Sequence, residues 1–454
     1  MAKKRGDIYS FTKTAAPIDE QPAWLAKRQE WFRDQKFGFF IHWGPYSQWG
    51  CIESWPLVGD TDAPWARSDQ LKPWIECGKN LDEFRRRYRA LNRTFNPVQF
   101  NPESWADLAW RAGMRYICFT TKHHDGFSMF DTRATNYRIT HPDCPFHSHP
   151  RANVTKEIFD TFRRRGFAVS CYFSKSDWHH PDYWIPERLA PDRNPNYDTH
   201  AEPERWERFV QFVHRQFREL LADYGKIDIL WLDGGQVRPP HQDIRMHEIA
   251  AFARLLQPEL LIADRTVGGP FENIVTPEQK IPDKPLGVTW ESCLTMGDQW
   301  AYKPNDRYKP TRKLIHMLID IAAKDGNLLL NVGPTSEGTL PSEAVTRLQE
   351  LGDWMAVNGE AIHGTRAMPP YAEHNLRFTK KDKAVYAFVL PAEGEAQPAT
   401  SLKLANPLPP AGGEIRLLGS AQPLAWRIRN GTAEIDLPTD RLPCQHAWGL
   451  TWQT

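Results

Sequence analysis

The 454 residues are enough for two domains with substantial cores, and 25% charged residues with a formal net charge of +1 give no general attraction to nucleic acid or to an anionic membrane. No stretch approaches the roughly 18 apolar residues of a membrane span, and the start from Met1 to Trp24 is basic but lacks the apolar core of a signal peptide, so a cytoplasmic location is expected of the chain as it stands, an exported one if a leader has been trimmed. The seven cysteines are odd in number and scattered, with Cys118 and Cys171 inside apolar runs, which points to buried free thiols rather than a disulfide framework.

Short apolar runs recur along the chain and read as strands covered on both faces. The first, Phe37-Gly-Phe-Phe-Ile, ends at His42-Trp-Gly. A helix is expected after it, with Asn101 as cap, Pro102 in its first turn, Trp105, Leu108, Ala109 and Ala112 on one face, and Gly113 as its stop. Tyr116-Ile-Cys-Phe-Thr-Thr then runs into Lys122-His123-His124-Asp125-Gly-Phe127, and Phe167 to Ser174 runs into Asp177, Trp178, His179 and His180. A longer amphipathic helix follows, carrying Trp206, Phe209, Val210, Val213, Phe217, Leu220, Leu221 and Tyr224 before Gly225. Ile227-Asp-Ile-Leu-Trp-Leu-Asp233-Gly-Gly is the fourth run, Leu260-Leu-Ile-Ala-Asp264-Arg265 the fifth, Val288-Thr-Trp-Glu291 the sixth and Leu328-Leu-Leu-Asn331-Val-Gly the seventh. Helices over Leu314–Ile321 and Val345–Met355 flank the last. The alternation predicts an α/β fold, a (β/α)₈-like barrel of TIM type over residues 1–365 with one strand unplaced. An open doubly wound sheet is the alternative, but no Gly-x-Gly-x-x-Gly follows the first strand.

From about His363 the pattern becomes all-β. Leu376-Arg-Phe-Thr and Ala384 to Leu390 are strands joined by a Lys-rich turn, and Trp426 to Leu437 reads as a hairpin turning at Asn430-Gly431. Residues 366–454 are therefore expected to form a small C-terminal β-sandwich.

In an α/β barrel the residues at the carboxyl ends of strands do the chemistry. Asp233 holds that position and is the first catalytic candidate. Taken alone, its Asp-Gly-Gly reads better as turn punctuation. That seven apolar runs all finish in titratable or polar groups weighs against turns as the whole explanation. Composition adds a second indication, with 19 Trp against 8 Met. Most must be packing residues, but Trp43, Trp49, Trp55, Trp178, Trp184, Trp290 and Trp300 fall in expected loops beside polar groups. Flat aromatic faces next to hydrogen-bonding side chains suit sugar rings, and no Gly-rich phosphate cradle is present.

Phe40-Ile-His42-Trp-Gly, the block from Lys122 to Phe127, Trp231-Leu-Asp233-Gly-Gly and Asn331-Val-Gly-Pro, in this order, resemble the retaining α-L-fucosidases of glycoside hydrolase family 29 over roughly residues 30–365. The resemblance implies a catalytic barrel followed by a β-sandwich, no metal or other cofactor, and a fucosylated oligosaccharide or glycoconjugate as substrate. It implies that Asp233 is the nucleophile of a covalent glycosyl-enzyme mechanism. For the acid/base, Glu272, Glu278 and Glu291 compete. Glu278 is preferred because it follows Arg265 at the interval expected of an acid/base downstream of a sugar-binding arginine, Glu291 is the alternative, and Glu272 reads as a loop residue. The resemblance further implies that His42, His123 and His124 bind sugar hydroxyls, that Tyr172, Trp231 and Arg265 line the pocket, that Phe40 packs on the C6 methyl and that Trp55 belongs to the outer wall. The region from Gly59 to Asn92 is expected to shape the aglycone side.

Two other readings compete. A non-catalytic fucose-binding pseudoenzyme would keep the His/Trp pocket but has no need of a strand-end nucleophile. A metal-dependent barrel hydrolase would use the histidines, yet neighbours on a strand point to opposite faces, so neither His123/His124 nor His179/His180 makes a good ligand pair, and Cys144-x-x-His147 lacks a second half.

Overall fold

The computed structural model describes residues 22–454 apart from 396, 439 and 441. The basic start of the chain, with the expectation of no export signal there, lies outside the described residues up to 21. Seven parallel strands form one curled sheet: β1 (Phe37–Ile41), β2 (Tyr116–Lys122), β3 (Ala168–Ser174), β4 (Ile229–Asp233), β5 (Leu261–Asp264), β6 (Glu291–Thr295) and β7 (Asn327–Val332). Their order is β5-β4-β3-β2-β1-β7-β6, the sequential winding of a barrel. Every strand residue is buried except Asp233 at the end of β4, which is why these segments read as continuous apolar runs rather than alternating ones.

Alternation reappears between the two faces. Phe40, Tyr116, Cys118, Tyr172, Ile229, Trp231, Ala263, Cys293 and Leu329 fill the interior together with Phe32 from the N-terminal helix Ala23–Gln35. Phe39, Ile41, Phe119, Phe173, Leu230 and Leu330 pack outward in the larger core shared with the helices. Because side chains two apart share a face, Phe40 with His42 and Trp231 with Asp233 are brought to the same interior. The helices fall where their periodicity puts them, at Pro102–Arg111, Pro203–Asp223, Thr311–Ala323 and Ser342–Asn358, and Asn101 Oδ1 accepts from Ser104 N at 3.1 Å as the cap of the first.

The strand missing from the sequence reading is missing for a reason. Between β5 and β6 the sheet is spanned by an irregular segment, residues 272–278, which touches β5 through Asn273 N to Ile262 O at 2.7 Å and β6 through Cys293 N to Pro277 O at 3.1 Å. With only Ile274 and Val275 as an apolar pair and a proline at 277, it carries no strand signal. The sixth run needs a correction. Val288 to Trp290 only leads into β6, whose ladder with β7 begins at Glu291 opposite Asn327. Glu291 is therefore at the amino end of its strand, remote from the rim. It accepts from Tyr116 Oη at 2.8 Å and Trp231 Nε1 at 2.7 Å, and burial lifts its pKa to about 7. It is an internal strut of the barrel, at the opposite end of its strand from the carboxyl-terminal rim.

Gly38 lets this interior close. It pairs with Tyr116 across β1 and β2, and a Cβ there would drive into the Tyr116 ring. Gly38→Ala is expected to cost about 1–3 kcal/mol or more through overpacking, read as a lower denaturation midpoint. An unchanged midpoint would mean that Tyr116 can step aside while keeping Glu291.

Beyond the barrel, antiparallel strands β8 (Arg366–Glu373), β9 (Leu376–Lys381), β10 (Ala384–Val389), β11 (Ser401–Leu404), β12 (Arg416–Leu417), β13 (Trp426–Arg429), β14 (Thr432–Asp436) and β15 (Trp448–Gln453) form sheets ordered β12-β15-β10-β9-β8 and β11-β14-β13. Phe378, Val385, Leu404, Ile435, Leu450 and Trp452 fill the space between the sheets. Asn430 and Gly431 take φ of 50° and 75°, the positive pair that a tight two-residue hairpin turn requires. The sandwich rests on the barrel through Tyr386 and Phe388, and Trp354 Nε1 donates to Ala447 O at 2.9 Å. All seven cysteines are free, and among the described residues no helix is long and apolar enough to cross a membrane.

Candidate active site

The carboxyl ends of the strands surround a cavity of about 130 Å³, small beside the roughly 300–1,000 Å³ of pockets for larger ligands. Phe40 reaches it from β1 and His42 from just beyond it, His123 and His124 from just beyond β2, Tyr172 from β3, Trp231 and Asp233 from β4, Arg265 from just beyond β5, and Glu278 from the end of the irregular segment. Trp55 closes one side. All the preferred candidates thus meet in one place.

Charge is concentrated on three groups. Arg265 Nη1 lies 2.9 Å from Asp233 Oδ1 and its Nη2 lies 2.6 Å from Glu278 Oε2, so one guanidinium holds both carboxylates. Asp233 also accepts from Tyr172 Oη at 2.7 Å and from Gly234 N at 2.8 Å. The latter contact follows from the left-handed turn at Gly234, φ 84°, which folds the backbone back onto the carboxylate. Burial tends to raise the Asp233 pKa, but Arg265, His124 and the Tyr172 hydroxyl outweigh it and hold the carboxyl far below the usual range. Asp233 is ionised at any ordinary pH, and its side chain, 20% exposed, lines the cavity.

The histidines are neutral. Burial lowers His42 to about 3 and His124 to about 4, and pushes His123 well below its ordinary value. For His42 the tautomer is fixed by its neighbours. Asn331 Nδ2 donates to Trp300 O at 2.6 Å, which turns Asn331 Oδ1 toward His42 Nδ1 at 2.6 Å. A carbonyl oxygen only accepts, so the proton sits on Nδ1 and Nε2 presents a lone pair to the cavity. The Asn331-Val-Gly motif thereby acquires a physical role, since its Asn sets the hydrogen-bonding sense of His42.

His123 and His124 correct the expectation of opposed faces. β2 ends at Lys122, so the pair lies in the turn beyond it and both rings face the cavity, 4.3 Å apart. With Asp233 they form a group whose donor atoms lie within 4.8 Å of one another. Ser54 holds His123 Nδ1 at 2.5 Å and Ser174 holds His124 Nδ1 at 2.6 Å, which orients both rings, and Arg265 already supplies the positive charge beside Asp233 that a cation would bring. The donor set is better matched to hydroxyl groups than to a metal.

Glu272 proves to be a loop residue, accepting from Thr266 N at 3.1 Å and Gly268 N at 2.6 Å and so shaping the turn after Arg265. Of the loop tryptophans, only Trp55 and Trp300 line the cavity. Trp43 packs against Phe95, Phe100 and Trp105, Trp178 stacks on Trp184, and Trp290 is fully buried, because an indole stabilises most when its whole area is covered.

Sequence reasoning missed Glu53. It lines the cavity although only 1% exposed, its Oε1 accepts from Ala301 N at 2.8 Å, and its Oε2 has no hydrogen-bond partner among the described residues. Burial, reinforced by Glu278 and Asp233, raises its pKa to about 8, so at neutral pH it presents a hydroxyl donor where Asp233 presents an acceptor. Its positive φ of 32°, a strained conformation for a side-chain-bearing residue, is invisible in the sequence. Arg193, held by Asp62 through two 2.6 Å contacts, was missed for the simpler reason that it sits far from any motif.

Comparison with known proteins identifies the frame. A family model described as alpha-L-fucosidase matches residues 9–360 and one described as alpha-L-fucosidase C-terminal domain matches residues 370–453. Plasma alpha-L-fucosidase of Homo sapiens is 27% identical over 461 residues, covering 94% of this chain and 91% of that protein. Alpha-L-fucosidase isoenzyme 1 from Paenibacillus thiaminolyticus is similar in structure with a TM-score of 0.76 at 29% identity, over 95% of this chain and 99% of that one. Thermotoga maritima alpha-fucosidase, solved in complex with a mechanism-based inhibitor, gives a TM-score of 0.74 at 25% identity, over 94% and 96% of the two chains. Since the match at residues 9–360 encloses every group lining the cavity, from Phe40 to Trp300, this chain belongs to the alpha-L-fucosidase family.

Proposed function

We propose that the chain is a retaining exo-α-L-fucosidase in which Asp233 is the nucleophile and Glu278 the acid/base. The observation that carries the assignment is Arg265, whose guanidinium contacts both carboxylates, Asp233 at 2.9 Å and Glu278 at 2.6 Å, and so sets the two acids at one cavity. A carboxylate pair at one sugar site is what a double displacement uses, one member to bond the anomeric carbon and the other to move the proton. Family membership and the mechanism-based inhibitor complex of the Thermotoga maritima enzyme support the same reading.

In the first step, which requires Glu278 in its carboxylic-acid form, an Asp233 oxygen bonds to the anomeric carbon as the glycosidic C–O bond breaks, and the departing oxygen takes the Glu278 proton. Glu278 then removes a proton from water, whose oxygen bonds to the same carbon and releases Asp233. Two displacements on one carbon restore the starting configuration. Neutral His42, His123 and His124 bind hydroxyls without adding charge, and Tyr172 and Arg265 steady Asp233 until it attacks. Phe40, with Trp231 at 5.2 Å and Trp300 at 5.9 Å, makes an apolar corner for the C6 methyl of fucose. One methyl discriminates by only about 1–3 kcal/mol, so slow cleavage of α-L-galactosides is expected beside rapid cleavage of α-L-fucosides. Hydrolysis of 4-nitrophenyl α-L-fucoside followed by proton NMR should show the α-anomer as first product. Initial release of β-fucose would overturn retention, and inertness toward every α-L-fucoside would overturn the activity.

A further inference from the structure

His123 and His124 are chain neighbours and line the same cavity, yet the groups behind them differ, and the difference fixes where each ring carries its proton. Behind His123 stands Ser54, fully buried, whose Oγ lies 2.5 Å from Nδ1 and accepts from Asp125 N at 2.9 Å. A serine hydroxyl has one proton to give. Of its two partners among the described residues, the backbone N–H of Asp125 cannot take that proton, which leaves the imidazole. With a proton on His123 Nδ1, Ser54 would face two N–H groups and bury its own proton without an acceptor, which disfavours that form by on the order of tenfold to a hundredfold. Nδ1 therefore accepts, and the ring proton sits on Nε2.

Behind His124 stands Ser174, the last residue of β3 and also fully buried. Its Oγ donates to Ser176 O at 2.8 Å, a carbonyl that only accepts, and lies 2.6 Å from His124 Nδ1. Two lone pairs do not meet at that distance, so the proton in the second contact comes from the imidazole. Ser176 Oγ, 3.1 Å from the same Nδ1 and 3.2 Å from Ser174 Oγ, completes the cluster. His124 thus carries its proton on Nδ1 and turns a lone pair outward at Nε2, which lies 3.7 Å from Asp233 Oδ2, too far to bond it. Burial keeps both rings neutral, so each has a single proton to place.

We propose that Ser54 and Ser174 are positioning residues that set the two neighbouring histidines to opposite tautomers, so that His123 donates to the substrate through Nε2–H while His124, like His42, accepts from it through a bare Nε2. The substrate half of this rests on the fucosidase reading and adds the hydrogen-bonding sense demanded of the sugar. A group held by His124 or His42 must have a proton to give, and a group held by His123 must offer a lone pair. A free hydroxyl meets either demand, whereas fluorine or an ether oxygen meets only the second. The two senses are not written in the His-His pair itself. They come from serines on separate parts of the fold, one in the loop after β1 and the other at the end of β3.

The test is nuclear magnetic resonance of the full chain with ¹⁵N in both ring positions of its histidines. Protonated and bare ring nitrogens resonate far apart, long-range couplings to the ring C–H protons tell Nδ1 from Nε2, and His42→Gln, His123→Gln and His124→Gln assign the signals. In the unaltered protein His123 should show a bare Nδ1, and His124 and His42 a bare Nε2. The same tautomer at His123 and His124, or the reverse arrangement, would overturn the proposal. Ser54→Ala, which removes the proton given to Nδ1, should move the His123 signal toward the other tautomer and lower kcat/KM on 4-nitrophenyl α-L-fucoside about tenfold or more, and Ser54→Thr, which keeps the hydroxyl, should hold the tautomer. A loss of activity with the His123 signal unmoved would make Ser54 a support of its turn and overturn the role given to it. If Ser54→Ala does not fold, the spectrum of the unaltered protein decides alone. Inertness of the unaltered protein toward every α-L-fucoside would bring down the fucosidase reading and the substrate half of the proposal, while the spectrum would still decide the tautomers.

Discussion

Asp233→Ala is expected to lower kcat on aryl α-L-fucosides by about four orders of magnitude, or roughly 5.5 kcal/mol in the barrier, because no other group can form the covalent bond. The fold should persist. Arg265 keeps Glu278 as a partner, so the change strands no buried charge, and circular dichroism and the thermal midpoint should stay close to those of the unaltered protein. The discriminating readout is rescue. Azide entering the space vacated by the carboxylate attacks the anomeric carbon from the Asp233 side and yields β-L-fucosyl azide. Residual activity near that of the unaltered enzyme would remove Asp233 from the mechanism.

Glu278→Ala should separate substrates by leaving group. Glycans, whose departing alkoxide must be protonated, should slow by about 10²- to 10⁴-fold, whereas the first step on fucosyl fluoride or a dinitrophenyl fucoside needs no proton and should survive. Azide should then accelerate the second step and return the α-configured azide. Two other glutamates serve as controls. Glu272→Gln should disturb the turn that presents Arg265 and slow all substrates together, and Glu291→Gln should alter stability through Tyr116 and Trp231 without changing leaving-group dependence. A uniform loss in Glu278→Ala, independent of the leaving group, would disqualify it as acid/base.

The strands were legible because burial on both faces writes continuous apolar runs, and Asp233 was legible because the run Ile229 to Leu232 stops at it. His42 and Trp231 followed from the two-residue period of the same strands. Other parts of the site depend on what comes together from a distance. Glu53 and Trp300 meet only because the loops after β1 and β6 fold over the same opening, and Ala301 N on one bonds Glu53 on the other. Which way the adjacent histidines point turned on a strand ending at Lys122 rather than one residue later. Glu291 was misread because Val288 to Trp290 looks like strand but only approaches it.

The two carboxylates stand on very different ground. Asp233 terminates a strand hydrogen-bonded on both sides, while Glu278 ends a bridge fastened by isolated contacts across the one seam where the barrel does not close with a regular strand. A seam tolerates length changes that a central strand does not, since inserting a residue there shifts no ladder register. On the proposed assignment, a length change at the seam would move Glu278, the proton donor, and retune which leaving groups it serves, while Asp233, the attacking group, stayed fixed. The same asymmetry makes residues 272–278 the natural stretch to randomise for altered linkage preference, with β4 left untouched.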